Sequence, residues 1–323
     1  MPRPTAATTL QRPDLGAIAY EYELEASRRG FIGLVIMPFK EVPEQSADYP
    51  KIPIEALLKL KDTRRAPRAN YGRSDWEFKT DTYACKEDGW EEVLDDSEAR
   101  SYKRYFDAEE VCVKICVDAI LRRQEKRIAD LVFNESYVPK AADIAIPWNT
   151  IATATPRANV NTAKEYMRSH YGLKPNVIAM TLTVLNQLLL TTEIISAFRY
   201  TNPIEIGGFE AQKRLVAQYF GVDQCLVGDA QYDTAKKGQA YSLGEIWDDE
   251  YIGLYKINPG DENLRDSCIG RTFLWTADSP TNLVTEQYRE EQKRSNVYRT
   301  RHNTDSCLVF AGAGVLLGNI IHP

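Results

Sequence analysis

Histidine is the rarest residue of this chain, with His170, His302 and His322 the only three in 323 residues. So few imidazoles leave few ways to build a Ser-His-Asp triad, and no G-x-S-x-G elbow offers a nucleophile. His170, beside Tyr171 on a helical pattern, reads as a packed or capping residue. The six cysteines (Cys85, Cys112, Cys116, Cys225, Cys268, Cys307) include no C-x-x-C pair. A zinc site therefore has little support, and the thiols read as small reduced hydrophobes in a cytoplasmic setting. No apolar run approaches the ~20 residues that span a bilayer. The start, Met1-Pro-Arg-Pro, lacks the apolar segment of a signal peptide, so export by the general secretory route is not expected. A phosphate loop is missing too. Gly312, Gly314 and Gly318 have the wrong spacing for a dinucleotide fingerprint and too little chain after them for a βαβ unit, so they read as a glycine-kinked strand pair. These absences predict no cofactor, no metal and no catalytic residue.

What is present is an average globular composition, 43% hydrophobic and 27% charged, with a net charge of −6. The length fits one large or two ordinary domains. An acidic balance argues against coating nucleic acid with the whole surface, and it suits a container wall that must not stick to a polyanion inside.

The most informative stretch is residues 62–105, where 20 of 44 residues are charged. Residues 59–73 hold Lys59, Lys61, Arg64, Arg65, Arg68 and Arg73 against Asp62 alone, a local charge of +5. Residues 81–98 hold eight acids against Lys86, a charge of −7. Such a segment cannot bury its own core. Its middle nevertheless alternates like a strand, with Trp76, Phe78, Thr80 and Thr82 on one side and Glu77, Lys79 and Asp81 on the other. An ordered strand without a core lies on another surface, and halves of opposite sign suit a copy of the same chain. The arginines with Tyr71 and Trp76 among them fit either a nucleic-acid patch or bidentate anchors onto a neighbour's carboxylates; the dense acids downstream favour the second. Glu91, Glu92, Asp95 and Asp96 read as a solvated acidic face, not as general acid/base pairs.

Elsewhere, residues 1–30 fit an extended arm as well as a disordered tail. Residues 31–37, FIGLVIM, read as a buried strand ended by Pro38. A short helix is expected over 54–60. Asp107 as N-cap with Glu110 three residues on predicts a long helix over 107–133, apolar at its ends and polar around its waist from Arg122 to Arg127. Helices over 161–171, 183–190 and 209–220 alternate with strands over 176–180 and 225–227, which suggests an α/β unit between about 158 and 255. Strands over 273–275, 284–289, 295–301, 307–311 and 315–321 follow.

This order resembles the major capsid protein fold of tailed double-stranded DNA phages, which bacterial encapsulin shells share. The resemblance is carried by Tyr49-Pro50-Lys51-Ile52-Pro53, Asp62-Thr63-Arg64-Arg65-Ala66-Pro67 and Tyr83-Ala84-Cys85-Lys86-Glu87 in the extended loop. Arg127-Ile128-Ala129-Asp130, Pro175-Asn176, Phe220-Gly221-Val222 and Val227-Gly228 follow in order, over residues 30–255. It implies an α+β chain with an N-terminal arm (1–30), the start of a peripheral domain (31–58), an extended two-stranded loop (59–90), and the peripheral domain with its spine helix (91–154, helix 107–133). An axial α/β domain (155–260) and returning strands of the peripheral domain (261–323) complete it. It further implies a structural subunit, not an enzyme, that self-assembles through pentamers and hexamers into an icosahedral shell around double-stranded DNA, in the virion and, during assembly, in the host cytoplasm. Arg64, Arg65, Arg68, Arg73, Trp76 and Phe78 would contact the neighbouring subunit. An N-terminal arm of 30 residues is too short for a fused scaffolding domain, so a separate scaffolding protein is expected, beside a portal and possible decoration proteins. Lys61 or Lys79 with Asn296 or Asn303 would be candidates for a Lys–Asn crosslink, although no matching motif is visible. The rival expectations are an encapsulin-like compartment and, from another class, a soluble α/β enzyme with its site in 158–255.

Overall fold

The structure, a computed structural model, describes residues 10–11, 30–51, 58–61, 63–65, 67–68, 70–73, 79–102, 107–198, 208–236, 238–259 and 267–321. The chain begins with β1 (Leu10–Gln11), the short helix α1 (Gly33–Ile36), and strands β2 (Phe39–Val42), β3 (Ser46–Lys51), β4 (Lys79–Ala84) and β5 (Lys86–Asp95). Helix α2 (Asp96–Tyr102) leads into the 25-residue α3 (Ala108–Val132), about 37 Å long at 1.5 Å per residue. Next come β6 (Lys140–Asp143), α4 (Pro156–Tyr171), β7 (Val177–Thr181), α5 (Leu182–Leu190), α6 (Thr192–Phe198) and α7 (Phe209–Phe220). Strands β8 (Gln224–Gly228), β9 (Gln231–Asp233), β10 (Leu243–Glu245) and β11 (Ile252–Tyr255) follow. The last elements are β12 (Gly270–Trp275), β13 (Val284–Glu290), the 14-residue β14 (Ser295–Leu308) and β15 (Gly314–Gly318).

The first sheet is organised by β14. One edge of β14 pairs with β5 from Ser295↔Asp95 to Thr304↔Lys86, and the other edge pairs first with β13 and then with β12. β1 extends the sheet beyond β13, and β2 lies parallel to β12. Helix α3 packs across β5 and β14, placing Val113, Val117, Ile120 and Leu121 against Leu94 and Tyr298. Asp107 caps it as expected, its carboxylate accepting from the Glu109 amide at 3.0 Å. Glu110 pairs with Lys114 and does not close a capping box.

The second sheet has five strands in the order β6-β15-β11-β7-β8. Every residue of β7 is buried, the pattern of a strand covered on both faces. One face packs Ile178, Met180, Ile252, Leu254, Val315 and Leu317 under Val160 and Met167 of α4, Leu185 and Leu188 of α5, and Val216 and Phe220 of α7. The other face meets α1 and the C-terminal half of α3 through Val177, Tyr255 and Leu316 against Ile36, Ile128 and Val132. Gly172 and Gly221, at φ +66° and +62°, end α4 and α7 in the left-handed conformation that glycine adopts without steric cost.

The structure corrects several expectations. Residues 31–37 do not form a strand: Gly33–Ile36 is helical, because the side chain of Glu125 accepts the first amides of that turn. The waist of α3 is not solvated all round, since Gln124 is 2% exposed and Glu125, 3% exposed, lies under α1 and Trp247. Residues 295–301 and 307–308 belong to one continuous strand. β15 lies in the second sheet, between β6 and β11. Residues 54–57 of the predicted helix over 54–60 and most of the arm over 1–30 lie outside the described residues, and residues 59–60 are not helical.

Candidate assembly surface

β3 and β4 form an antiparallel hairpin from Ser46↔Ala84 to Lys51↔Lys79. Its base is fixed to the first sheet by aromatic packing. Tyr83 stacks on Phe273 at 4.5 Å between centroids, Tyr49 tilts against the same ring at 5.3 Å, and Val42 and Cys85 complete the cluster. A salt bridge joins Lys51 to Asp81 across the hairpin. Only Cys85 separates β4 from β5, so the hairpin runs directly into the sheet edge.

The basic arm lies between Lys51 and Lys79. Lys59, Lys61, Arg64, Arg65, Arg68 and Arg73 are all exposed. So are Leu58, Leu60 at 97% and Tyr71 at 72%. The Arg65 guanidinium lies 4.6 Å from the centre of the Tyr71 ring, a cation–π contact that organises part of the arm. Arg68 has φ +68°, an unfavourable conformation for a residue with a Cβ. Trp76 and Phe78 lie outside the described residues. The exposed apolar and cationic groups among the arm's described residues have the chemistry of a docking element.

The acidic half behaves differently from expectation. Asp88 binds Arg127 at 2.9 Å, Glu91 lies 3.4 Å from Arg299, and Asp96 binds Arg289 at 2.9 Å. Tyr288 donates to Glu91, and Trp90 donates its indole N–H to Glu92 at 2.8 Å. The matching arginines lie on α3, β14 and β13, so much of the acidic charge is matched within the chain. Beside them Glu286 receives both Arg299 and Arg301, and Arg301 also binds Asp278. The sequence could not show this pairing, because β5 and β14 are about 200 residues apart in the chain.

Catalytic alternatives find little chemistry among the described residues. All six cysteines are free, and burial pushes the Cys116, Cys225 and Cys307 thiols up to about 12, far from a thiolate at neutral pH. His302 is buried, its Nε2 3.7 Å from Asp88 Oδ2, and burial pushes its pKa down. His170 is exposed and stacks on Tyr166 at 4.0 Å. Among the described residues no group of three or more His, Cys, Asp or Glu side chains is arranged to hold a metal, and no helix is long and apolar enough to cross a membrane. A groove of about 490 Å³ runs between α3 and the 245–249 segment, lined by Lys126, Asp130, Trp247, Asp248 and Asp249. Glu245 at its side is pushed up by burial and then by Asp249, yet no nucleophile accompanies the two acids.

No family model matches the chain. It is 28% identical over 229 residues to the major capsid protein of Burkholderia phage BcepMu, covering 70% of this chain and 71% of that one. A phage-related protein from Bordetella bronchiseptica RB50 superposes with a TM-score of 0.71 at 17% identity, over 98% of this chain and 99% of the other. The subunit of the mature capsid of bacteriophage PhiM1 superposes at 0.53 with 11% identity, over 89% and 86% of the two chains. Hairpin, long helix, two-sheet core and matching relatives agree: this chain has the fold of tailed-phage capsid subunits and is a sequence relative of a phage major capsid protein.

Proposed function

We propose that the chain is a major capsid subunit whose copies, arranged as pentamers and hexamers, close an icosahedral shell around packaged double-stranded DNA. The observation that carries this reading is the shared sequence with a phage major capsid protein over 70% of the chain, beside a fold that superposes on the subunit of a phage capsid. The mechanism is geometric, without a catalytic step. The arm over residues 59–73 reaches a neighbouring subunit, where Arg64, Arg65, Arg68 and Arg73, with Trp76 and Phe78, contact it. Guanidinium groups there pair bidentately with carboxylates while Leu60 and Tyr71 bury apolar area. Closed symmetry covers surfaces that a monomer leaves open.

In this reading residues 59–90 are the extended loop, α3 is the spine of the peripheral domain, and the five-stranded sheet with α4, α5 and α7 surrounds the symmetry axes. A separate scaffolding protein guides assembly in the host cytoplasm. A portal, and decoration proteins if present, complete the particle, and DNA contacts on the inner face are non-specific. Negative-stain electron microscopy beside size-exclusion chromatography tests this. The wild-type protein, with its scaffold if one is required, forms closed uniform shells or rings of five or six. Arg64→Glu with Arg65→Glu leaves the subunit soluble and stops closure. Normal shells from that double variant would remove the arm from the interface. Shells carrying a protein cargo and no DNA would favour the encapsulin-like function.

A further inference from the structure

β9 and β10 form a two-stranded sheet of their own, in register from Leu243↔Asp233 to Glu245↔Gln231. An isolated pair of this size is marginal in water and needs support at its root. The Ile246 amide donates to the Ala230 carbonyl at 2.9 Å, Arg122 of α3 donates to the Gln231 carbonyl, and Tyr232 packs on the core beneath. The tip is organised by its own hydrogen bonds. Asp233 Oδ1 accepts from the Ala235 and Ser242 amides at 2.9 and 3.1 Å. The Ser242 carbonyl accepts from the Thr234 amide and hydroxyl at 2.8 and 3.0 Å. This preformed tip presents Tyr241, 70% exposed, and the exposed Lys236, with Leu243, 54% exposed, just behind them. Residues 234–242 contain two lysines and no acid.

The groove of about 490 Å³ between α3 and residues 245–249 lies at the opposite end of the same hairpin. Asp130, Glu245, Asp248 and Asp249 line it, over Phe133 and Trp247. Lys126 pairs with Asp130, and among the described residues no cation pairs with the other three carboxylates. Asp248 instead accepts the Glu250 amide at 2.9 Å, and Asp249 accepts the Thr181 hydroxyl.

We infer that this groove receives the tip of the β9–β10 hairpin of a second copy, with Lys236 among the carboxylates and Tyr241 over the apolar floor. The inference rests on the self-assembly proposed above and adds a contact that does not involve the basic arm. Charge selects the occupant: a basic turn without acids meets three carboxylates that lack a cation. Size and order select it too. A groove of this volume admits a few side chains and not the whole of residues 59–73, and a tip already fixed by its own hydrogen bonds loses little freedom on docking. Tip and groove lie at opposite ends of one element, so a subunit cannot fill its own groove. The contact is head to tail, and repetition by a closing rotation makes a ring.

Photocrosslinking of the full-length protein tests this, with p-benzoylphenylalanine in place of the exposed Tyr241 and subunits of two nitrogen isotopes mixed before irradiation. Crosslinked peptides of mixed isotope should join residue 241 to residues 129–134 or 245–249. Crosslinks within one copy only, or to other surfaces, would overturn the contact. Lys236→Glu should lower the mixed yield about tenfold, by losing one charge pair and adding a repulsion. Glu245→Lys should do the same, and the two changes together should restore the yield. Both sites are exposed, and an unchanged melting temperature would show that each variant folds. Rescue of Glu245→Lys by Arg64→Glu with Arg65→Glu instead would assign the groove to the basic arm and reject the hairpin. The shell is judged separately by electron microscopy. Closed shells without mixed crosslinks would reject this contact alone, whereas mixed crosslinks without shells would keep it and reject the capsid reading.

Discussion

One face of the five-stranded sheet is filled by Ile178, Met180, Leu188, Phe220 and their apolar neighbours. The corresponding outer face of the six-stranded sheet carries Glu286, Arg299, Arg301 and Asp278 in one connected set, flanked by Glu91. Burial of apolar area depends little on salt or pH, whereas ion pairs respond to both. The first region therefore serves as a fixed body. The second, which also carries the hairpin and its basic arm, is where solution conditions act on the molecule.

The largest effect that would sharpen this contrast is Phe220→Ala, expected to cost roughly 3–5 kcal/mol in urea unfolding, with little change in that cost between low and high salt. Glu286→Ala should cost about 3 kcal/mol, because it leaves two half-buried arginines without their shared carboxylate. That loss should shrink as salt rises. Equal salt dependence in the two variants would break the comparison. A smaller effect is expected at His302. Its pKa lies below the usual 6.5, so its contribution is present above that value and is lost as pH falls through the depressed one. Thermal melts of wild type should decline below pH 6.5 more steeply than those of His302→Asn. The smallest effect on folding, and a large one on association, belongs to the arm. Added salt should slow shell closure while the melting temperature of the subunit barely moves, and light scattering beside calorimetry would separate the two.

Much of this architecture is legible in the sequence because its signals are local. Asp107 marks the start of the long helix, Gly172 and Gly221 end α4 and α7, and the charge reversal between residues 59–73 and 81–98 marks the hairpin and its arm. What stayed hidden depends on distant partners. Residues 31–37 carry the composition of a strand, and only a carboxyl 92 residues away makes their first turn helical. Glu125 itself sits among Arg122, Arg123, Lys126 and Arg127, where periodicity gives no reason to bury it. β15 has the same apolar run whichever sheet it joins, and the choice is made by pairing with β11 and β6. The arm reads as an interaction element, but the acids expected to complement it in a neighbour are largely occupied by the arginines of β13, β14 and α3.

The direct passage of β4 into β5 has a mechanical consequence. A pull along the hairpin is delivered along the axis of β5. That strand is in register with β14 over ten consecutive residue pairs, from Lys86 to Asp95. The backbone hydrogen bonds of an antiparallel pair lie across the strands, so such a load shears them together and does not peel them one at a time. The other edge of β14 is clamped by β12 and β13, which spreads the force through the sheet. The hairpin is thus anchored in its most load-resistant direction.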